Sequence, residues 1–289
     1  INMIDTPGYA DFAGQSLGAL PAIETAFVVI NASTGIESNT RRVMQRAAEY
    51  NLCRIIVINR MDVDNLDLPG LVSQIQEEFG RACLPINLPT GGGNAVVDVF
   101  NKTEGEVDFG SVEEAHTAIV EQVVEVDETL METYLEQGEV QAGQLSGPFK
   151  KALCEGHLVP ICFTCARRHD NPETAVGVKE LLNLIVELLP SPQEGNQRTF
   201  IKSDADNGEV QIQAEGDSSV LAHTFQVVSD PFVGKLSYVK VLNGTFNSDS
   251  QLINASKNES ERVAQVLVVT GKSQESTVAL APGDIGAVA

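Results

Sequence analysis

AFVVINASTGIESNTRRVMQRAAEYNLCRIIVINRMD, residues 26–62, contains two nearly unbroken apolar runs on either side of a helical pattern. The runs are Ala26–Asn31 and Arg54–Asn59, both rich in Val and Ile. Between them Val43, Ala47 and Tyr50 recur at the spacing of one helix face. Strands apolar on both faces and joined through helices indicate a parallel sheet covered on both sides. The alternation continues outward. Ile1–Ile4 reads as a further strand, residues 69–80 as a helix, and LVPICF at 158–163 as a strand of the same type. GVKELLNLIVELL at 177–189 is an amphipathic helix that stops at Pro190-Ser191-Pro192. The fold class expected for this part is α/β.

Charge separates a second element. The chain has 289 residues and a net charge of −21. Residues 84–158 hold fourteen acids against three bases, over half of that charge. We expect residues 84–158 to be an acidic α+β insert, with residues 112–136 forming one long helix whose acids face solvent. Such a face is either plain solvation or a docking surface for a basic partner. Beyond about residue 198 the pattern becomes short strands, at 220–228, 236–242, 251–254, 263–269 and 277–280, punctuated by Gly, Pro, Asn and Asp. That predicts a small all-β barrel. The expected domains are 1–197 and 198–289.

Composition excludes several classes. Hydrophobic residues at 43% allow a substantial core. No apolar run approaches the ~18–20 residues of a membrane span. Strong net negative charge argues against broad phosphate-backbone binding. Five cysteines are an odd, sparse set, which favours a reducing cytosol over a disulfide framework. Ile1, within an apolar run, leads us to expect a piece of a longer protein.

Ligands of an open parallel sheet collect at the carboxyl ends of its strands. Three polar segments follow the expected strands there: Asp5-Thr6-Pro7-Gly8, Asn59-Arg60-Met61-Asp62 and Thr164-Cys165-Ala166. A carboxylate at Asp5 suits a metal-bound water, and the Gly8 N–H suits a terminal phosphate. An ordinary strand-to-turn transition would give the same residues. The Asp62 carboxylate could accept from both N1–H and the 2-amino group of guanine, a contact adenine cannot reciprocate. Asn59 would bridge loop and base, and the Arg60 stem would lie along the purine. A polar turn capping the next helix is the alternative.

In this order and spacing the segments resemble the nucleotide domain of translational GTPases, and elongation factor G in particular. Gly35-Ile36-Glu37, Thr40-Arg41-Arg42-Val43-Met44 and Leu188-Leu189-Pro190-Ser191-Pro192 extend the resemblance. So do Asp230-Pro231-Phe232-Val233-Gly234-Lys235-Leu236 and Pro282-Gly283-Asp284-Ile285-Gly286, which look like the second, β-barrel domain. The resemblance implies a truncated P-loop GTPase-type sheet with an insert, followed by the barrel. It implies GTP/GDP as the nucleotide, with Asp5, Gly8, Asn59, Arg60, Asp62, Cys165 and Ala166 around it. It also implies Mg²⁺ held through water at Asp5, and ribosome and ribosomal RNA as partners. The insert would meet the basic stalk protein, and the protein would be a monomer away from membranes. Hydrolysis would drive translocation or recycling. A hydrolysis-poor ribosome-binding or scaffolding paralogue, a release factor and a ribosome-protection protein are the alternatives.

Four departures bear on this. Tyr9 stands where the family usually has the His that positions the attacking water, as in a divergent group of elongation factor G-like paralogues. Arg60 stands for Lys, and Cys165-Ala166 for Ser-Ala, a loop whose role in the family is mostly a backbone N–H to the guanine carbonyl. No Gly-x-x-x-x-Gly-Lys-Ser/Thr occurs, nor does the Thr-bearing switch, which truncation explains; the 289 residues alone are expected to be inactive. Gly271-Lys272-Ser273 lacks the upstream Gly and a following helix, so it is not a phosphate loop. Gly91-Gly92-Gly93 is expected to be a flexible turn. Cys162-Phe163-Thr164-Cys165 has metal or redox spacing but no second pair. His116 and His157 have no ligand set around them. Arg41, Arg42 and Arg46 either touch RNA or form a solvated face.

Overall fold

Ile1–Ile4 is not a strand. In the computed structural model, residues 1–8 form no ladder, and Ile1 and Met3 are 91% and 81% exposed. An apolar run becomes a strand only where a neighbour accepts its backbone groups. The first regular element is the short helix α1 (Ala13–Ala19), flanked by 3₁₀ turns at Ala10–Phe12 and Leu20–Ala22. The structure describes residues 1–138, 140, 142–168, 171, 174–196, 198–201, 209–212, 219–230 and 234–289. The chain divides into two units, Thr25–Pro190 and a second made of Ile1–Glu24 with Ser191–Ala289.

The Thr25–Pro190 unit is built on a parallel sheet. Its strands are β1 (Thr25–Asn31), β2 (Cys53–Asn59), β3 (Cys83–Pro85) and β6 (Val159–Phe163), in the order β1-β2-β6-β3. Four residues of β2 in a row, Ile55–Ile58, are buried, as expected of a strand covered on both faces. β1 is equally apolar in sequence, yet its burial alternates, and Phe27 and Val29 are exposed. α2 (Ser38–Glu49) connects β1 to β2 and starts in a capping box between Glu37 and Thr40. α3 (Leu68–Phe79) follows β2 and is capped by Asp67, whose carboxylate accepts from the Gly70 N–H at 2.9 Å. Arg41 and Arg46 on α2 pair with Glu78 and Glu49. α7 (Val178–Glu187) closes the unit.

Between β3 and β6 lies the acidic insert: the hairpin β4 (Asn87–Thr90) and β5 (Ala95–Asp98), then α4 (Val112–Val124), α5 (Glu128–Gln137) and α6 (Ala142–Glu155). The single helix expected over 112–136 is two. The break falls at Asp127, whose side chain caps α5 by accepting from the Leu130 N–H at 3.0 Å. Glu113, Glu114, Glu121, Glu125, Glu128, Glu132 and Glu136 are all exposed. The inner faces of α4 and α6 meet the sheet through Ile119, Val123, Phe149 and Leu153.

The second unit is antiparallel after residue 198. A five-stranded sheet runs β15 (Ser273–Thr277), β14 (Val266–Thr270), β17 (Ile285–Val288), β10 (Gly234–Asn243), β9 (Leu221–Asp230). Two-stranded pieces join it: β7 (Arg198–Ile201) with β8 (Glu209–Ile212), β11 (Phe246–Asn247) with β16 (Ala279–Leu280), and β12 (Gln251–Asn254) with β13 (Glu259–Arg262). Val239, Val241, Phe246, Val263, Val266 and Leu280 fill a barrel-like core. Lys240, 3% exposed, is matched by Glu24 at 3.1 Å and donates to the Gly283 carbonyl at 2.8 Å. Gly271-Lys272-Ser273 spans the turn from β14 to β15. Pro231, Phe232 and Val233 lie outside the described residues. Among the described residues, no helix is long and apolar enough to cross a membrane.

Candidate nucleotide site

β2 and β6 are parallel neighbours, with Ile58 opposite Phe163, so their carboxyl ends release two loops side by side. Asn59 joins those loops. Its side-chain oxygen accepts from the Arg60 N–H at 2.9 Å, the Ala166 N–H at 3.0 Å and the Thr164 hydroxyl at 3.4 Å. Thr164 also donates its N–H to the Ile58 carbonyl at 2.8 Å, and Met61 donates to the Thr164 carbonyl at 3.4 Å. Arg60 is left-handed, with φ of +64°, and that turn carries the chain round to Asp62. The Cys165 thiol donates to Asp62 Oδ1 at 3.0 Å. Asn59, Arg60, Asp62, Cys165 and Ala166 are thus brought together. The Ala166 N–H, expected to face a guanine carbonyl, here donates to Asn59.

The second loop is fixed from behind. Cys165 exchanges two backbone bonds with Val176, at 2.8 and 2.9 Å. Buried Asn87 donates to the Phe163 carbonyl at 3.1 Å and accepts from the Phe163 N–H at 2.7 Å. Gly177, at φ +72°, caps α7 so close to β6 that a Cβ there would stand 2.3 Å from the Phe163 oxygen. The residues alone did not point to Asn87 or Gly177, because neither belongs to a local pattern.

Burial, then the hydrogen bond and charge of Asp62, push the Cys165 thiol up to about 11. Cys83 rises to about 11 as well, from burial, partly opposed by Arg54. Burial and the neighbouring Asp98 charge push Cys162 up too, while Cys53 is raised chiefly by the Cys154 thiol, 3.6 Å away. A thiol whose folded pKa exceeds its unfolded value contributes stability below the unfolded value and loses it as pH rises through the folded one. Cys165→Ser should therefore flatten part of the alkaline loss between the ordinary value of 9.0 and about 11. Denaturant midpoints of both proteins across that range measure it. Equal alkaline slopes in the two would sink the assignment.

Asp5, Gly8 and Tyr9 belong to the other unit. Their segment forms no strand, the Pro7 carbonyl accepts from the Ser16 hydroxyl at 2.8 Å, and Tyr9 is 78% exposed. Gly91-Gly92-Gly93 is not the loose turn its composition suggests. Gly92 and Gly93 N–H groups donate to the two oxygens of Asp108, each at 2.9 Å. His116 is bonded through Nδ1 to the Val99 carbonyl at 2.9 Å. All five cysteines are free thiols.

Two paired loops lie at the carboxyl edge of the parallel sheet, where such sheets bind their ligands, and similarity to known proteins gives the class of domain. Residues 1–191 match the family described as Elongation factor Tu GTP binding domain, and residues 220–289 match Elongation factor G domain 2. The chain belongs to the Elongation factor Tu GTP-binding-domain family and joins to it the second domain of the elongation factor G-like translational GTPases. It is 29% identical to Elongation factor G of Mycoplasma genitalium and 30% identical to that of Mycoplasma pneumoniae, over all of this chain and 44% of each relative. A crystal structure of a protein from Thermus thermophilus matches with a TM-score of 0.75 at 28% identity, covering 98% of this chain and 41% of the other. The chain thus spans less than half the length of these relatives.

Proposed function

We propose that the protein carrying these residues is an elongation factor G-like GTPase that binds GTP and the ribosome and couples hydrolysis to translocation or recycling. The observation that carries this is the Asn59 bridge, which ties the Ala166 loop to the loop bearing Asp62. The donor set fits guanine. Asp62 offers a carboxylate to N1–H and the 2-amino group, and its orientation is held by Cys165. The carbonyl end of Asn59 does the bridging, so its NH₂ end is the donor for purine N7. A guanine carbonyl at Ala166 would exchange for the bond that N–H now makes to Asn59. Arg60, exposed, lends its stem to the ring.

For the phosphates, the Gly8 N–H would act at the outermost phosphoryl group, where catalysis rests on position and charge. Mg²⁺ usually keeps several of its waters and takes one or two carboxylates together with substrate phosphates, so the fit rests on few protein groups. Asp5 is a single exposed carboxylate, and among the described residues no three His, Cys, Asp or Glu side chains group around one ion. The role of Asp5 is limited to accepting from a metal-bound water. The exposed acids of α4 and α5 suit a basic stalk protein.

Tyr9 favours a second reading. A phenol donates a hydrogen bond but cannot become an imidazolium near neutral pH, so a ribosome-binding paralogue that hydrolyses poorly is the alternative. Single-turnover hydrolysis by the complete gene product, with and without ribosomes, separates the two. We expect ribosome-stimulated turnover by the wild type, and a gain of roughly a hundredfold in Tyr9→His, at the low end of general-base effects. A wild type that ribosomes do not stimulate would replace the GTPase reading with the scaffold.

A further inference from the structure

The acidic insert touches the loop that bears Asp62 and the strand end that leads into the Thr164–Ala166 loop. Its β4–β5 turn, Gly91-Gly92-Gly93, has φ of +64°, +70° and +78°, which side chains rarely adopt. Successive N–H groups of such a turn make a small anion cradle. The anion is internal: Asp108 takes the Gly92 and Gly93 N–H groups on separate oxygens, each at 2.9 Å. Its own N–H donates to the Pro89 carbonyl at 2.8 Å, which ties the clamp back to β4. The closed turn comes close to the loop that bears Asp62. A Cβ on Gly93 would stand 2.9 Å from the Met61 carbonyl oxygen and 3.5 Å from the Asp62 Cα. The residue after Asp108 reaches the end of β6, where the other loop starts. Phe109 meets Phe163 edge-on at 5.7 Å, and Phe163 directly precedes Thr164-Cys165-Ala166.

We propose that the Gly91–Gly93 turn, closed by Asp108, positions Asp62 for guanine, so that the insert sets base affinity and selectivity. This rests on the guanine role proposed above for Asp62. Asp108 touches no base. It is a positioning residue that acts through the turn, and the absence of a side chain at Gly93 lets the turn approach Met61. Two substitutions disturb the contact by unrelated means. Asp108→Asn keeps size but replaces one acceptor by a donor facing an N–H. Gly93→Ala keeps the Asp108 carboxylate but strains the turn at φ +78° and drives a methyl toward the Met61 carbonyl.

The test measures affinities of the complete gene product for GDP and inosine diphosphate, whose base lacks the 2-amino group, with thermal melts beside them. In Asp108→Asn and Gly93→Ala we expect GDP to weaken roughly tenfold, the size of one lost charge-assisted hydrogen bond. Inosine diphosphate should weaken less, so the preference for GDP shrinks. Asp108→Glu, which restores a carboxylate, should recover part of that preference. Equal weakening of both nucleotides, or none, would overturn the proposal. If Gly93→Ala fails to fold, the Asn and Glu variants at 108 decide. A wild type that does not bind GDP, or that is indifferent to Asp62→Asn, would instead remove the guanine reading. A wild type with Asp62-dependent preference and unaltered Asp108→Asn removes only the positioning role.

Discussion

Asp62→Asn should convert the protein from a guanine to a xanthine reader, with GDP affinity falling about 10²- to 10⁴-fold. Two hydrogen bonds from the base to a charged acceptor are lost, each worth roughly 1.5–3 kcal/mol. Every 1.4 kcal/mol is about a factor of ten. An Asn amide also turns an N–H toward the 2-amino group, so repulsion adds to the loss. Xanthine carries a carbonyl where guanine has that amino group, and the same N–H then becomes a partner. The exchange is credible here because the carboxylate is held. Cys165 binds Oδ1 at 3.0 Å, and sulfur can either donate to an amide oxygen or accept from an amide nitrogen. The side chain should keep its place while its pattern of donors and acceptors changes. Competition binding with GDP and xanthosine diphosphate checks this. Unchanged guanine preference would remove Asp62 from the site.

What the sequence disclosed follows from the range of the interactions concerned. β2 was legible because a strand covered on both faces must be apolar throughout. That Asn59 and Asp62 lie beside Cys165-Ala166 was legible because each segment directly follows an apolar run read as a strand, whereas the bonds between the two loops span over a hundred positions. Ile1–Ile4 misled because composition shows that a run is apolar but not whether a partner strand is present. The helix over 112–136 misled because its apolar rhythm crosses Asp127 without a fault, although that side chain caps a new helix. β3 is three residues long and gains its meaning only from β6, 76 positions from its start at Cys83 to the first residue of β6 at Val159. The clamp of Asp108 on Gly92 and Gly93 spans 16 and 15 positions, beyond any periodic signal.

Asn87 is the clearest case of a residue that only the fold explains, and its replacement should be severe. β3 accompanies β6 as far as Ile161, which is paired with Pro85, and then ends. Phe163, two residues on, would have no backbone partner on that side. The Asn87 side chain supplies one: its oxygen accepts from the Phe163 N–H at 2.7 Å and its nitrogen donates to the Phe163 carbonyl at 3.1 Å. A carboxamide has the donor and acceptor of a peptide group, so it extends the ladder by one rung where the chain has turned away. Asn87 is 2% exposed and Phe163 fully buried, so water does not easily replace either bond. In Asn87→Ala both backbone groups lose their partner. At roughly 1–3 kcal/mol for each unsatisfied group, we expect the unit to lose about 3–5 kcal/mol. Asn87→Asp should recover little, because a carboxylate can accept from the N–H but repels the carbonyl and buries a charge. Asn87→Gln has the right groups on an arm one carbon too long and should fall between. Urea denaturation of the three variants gives the order. A loss below about 1 kcal/mol in Asn87→Ala would mean that water completes the rung and the amide is dispensable.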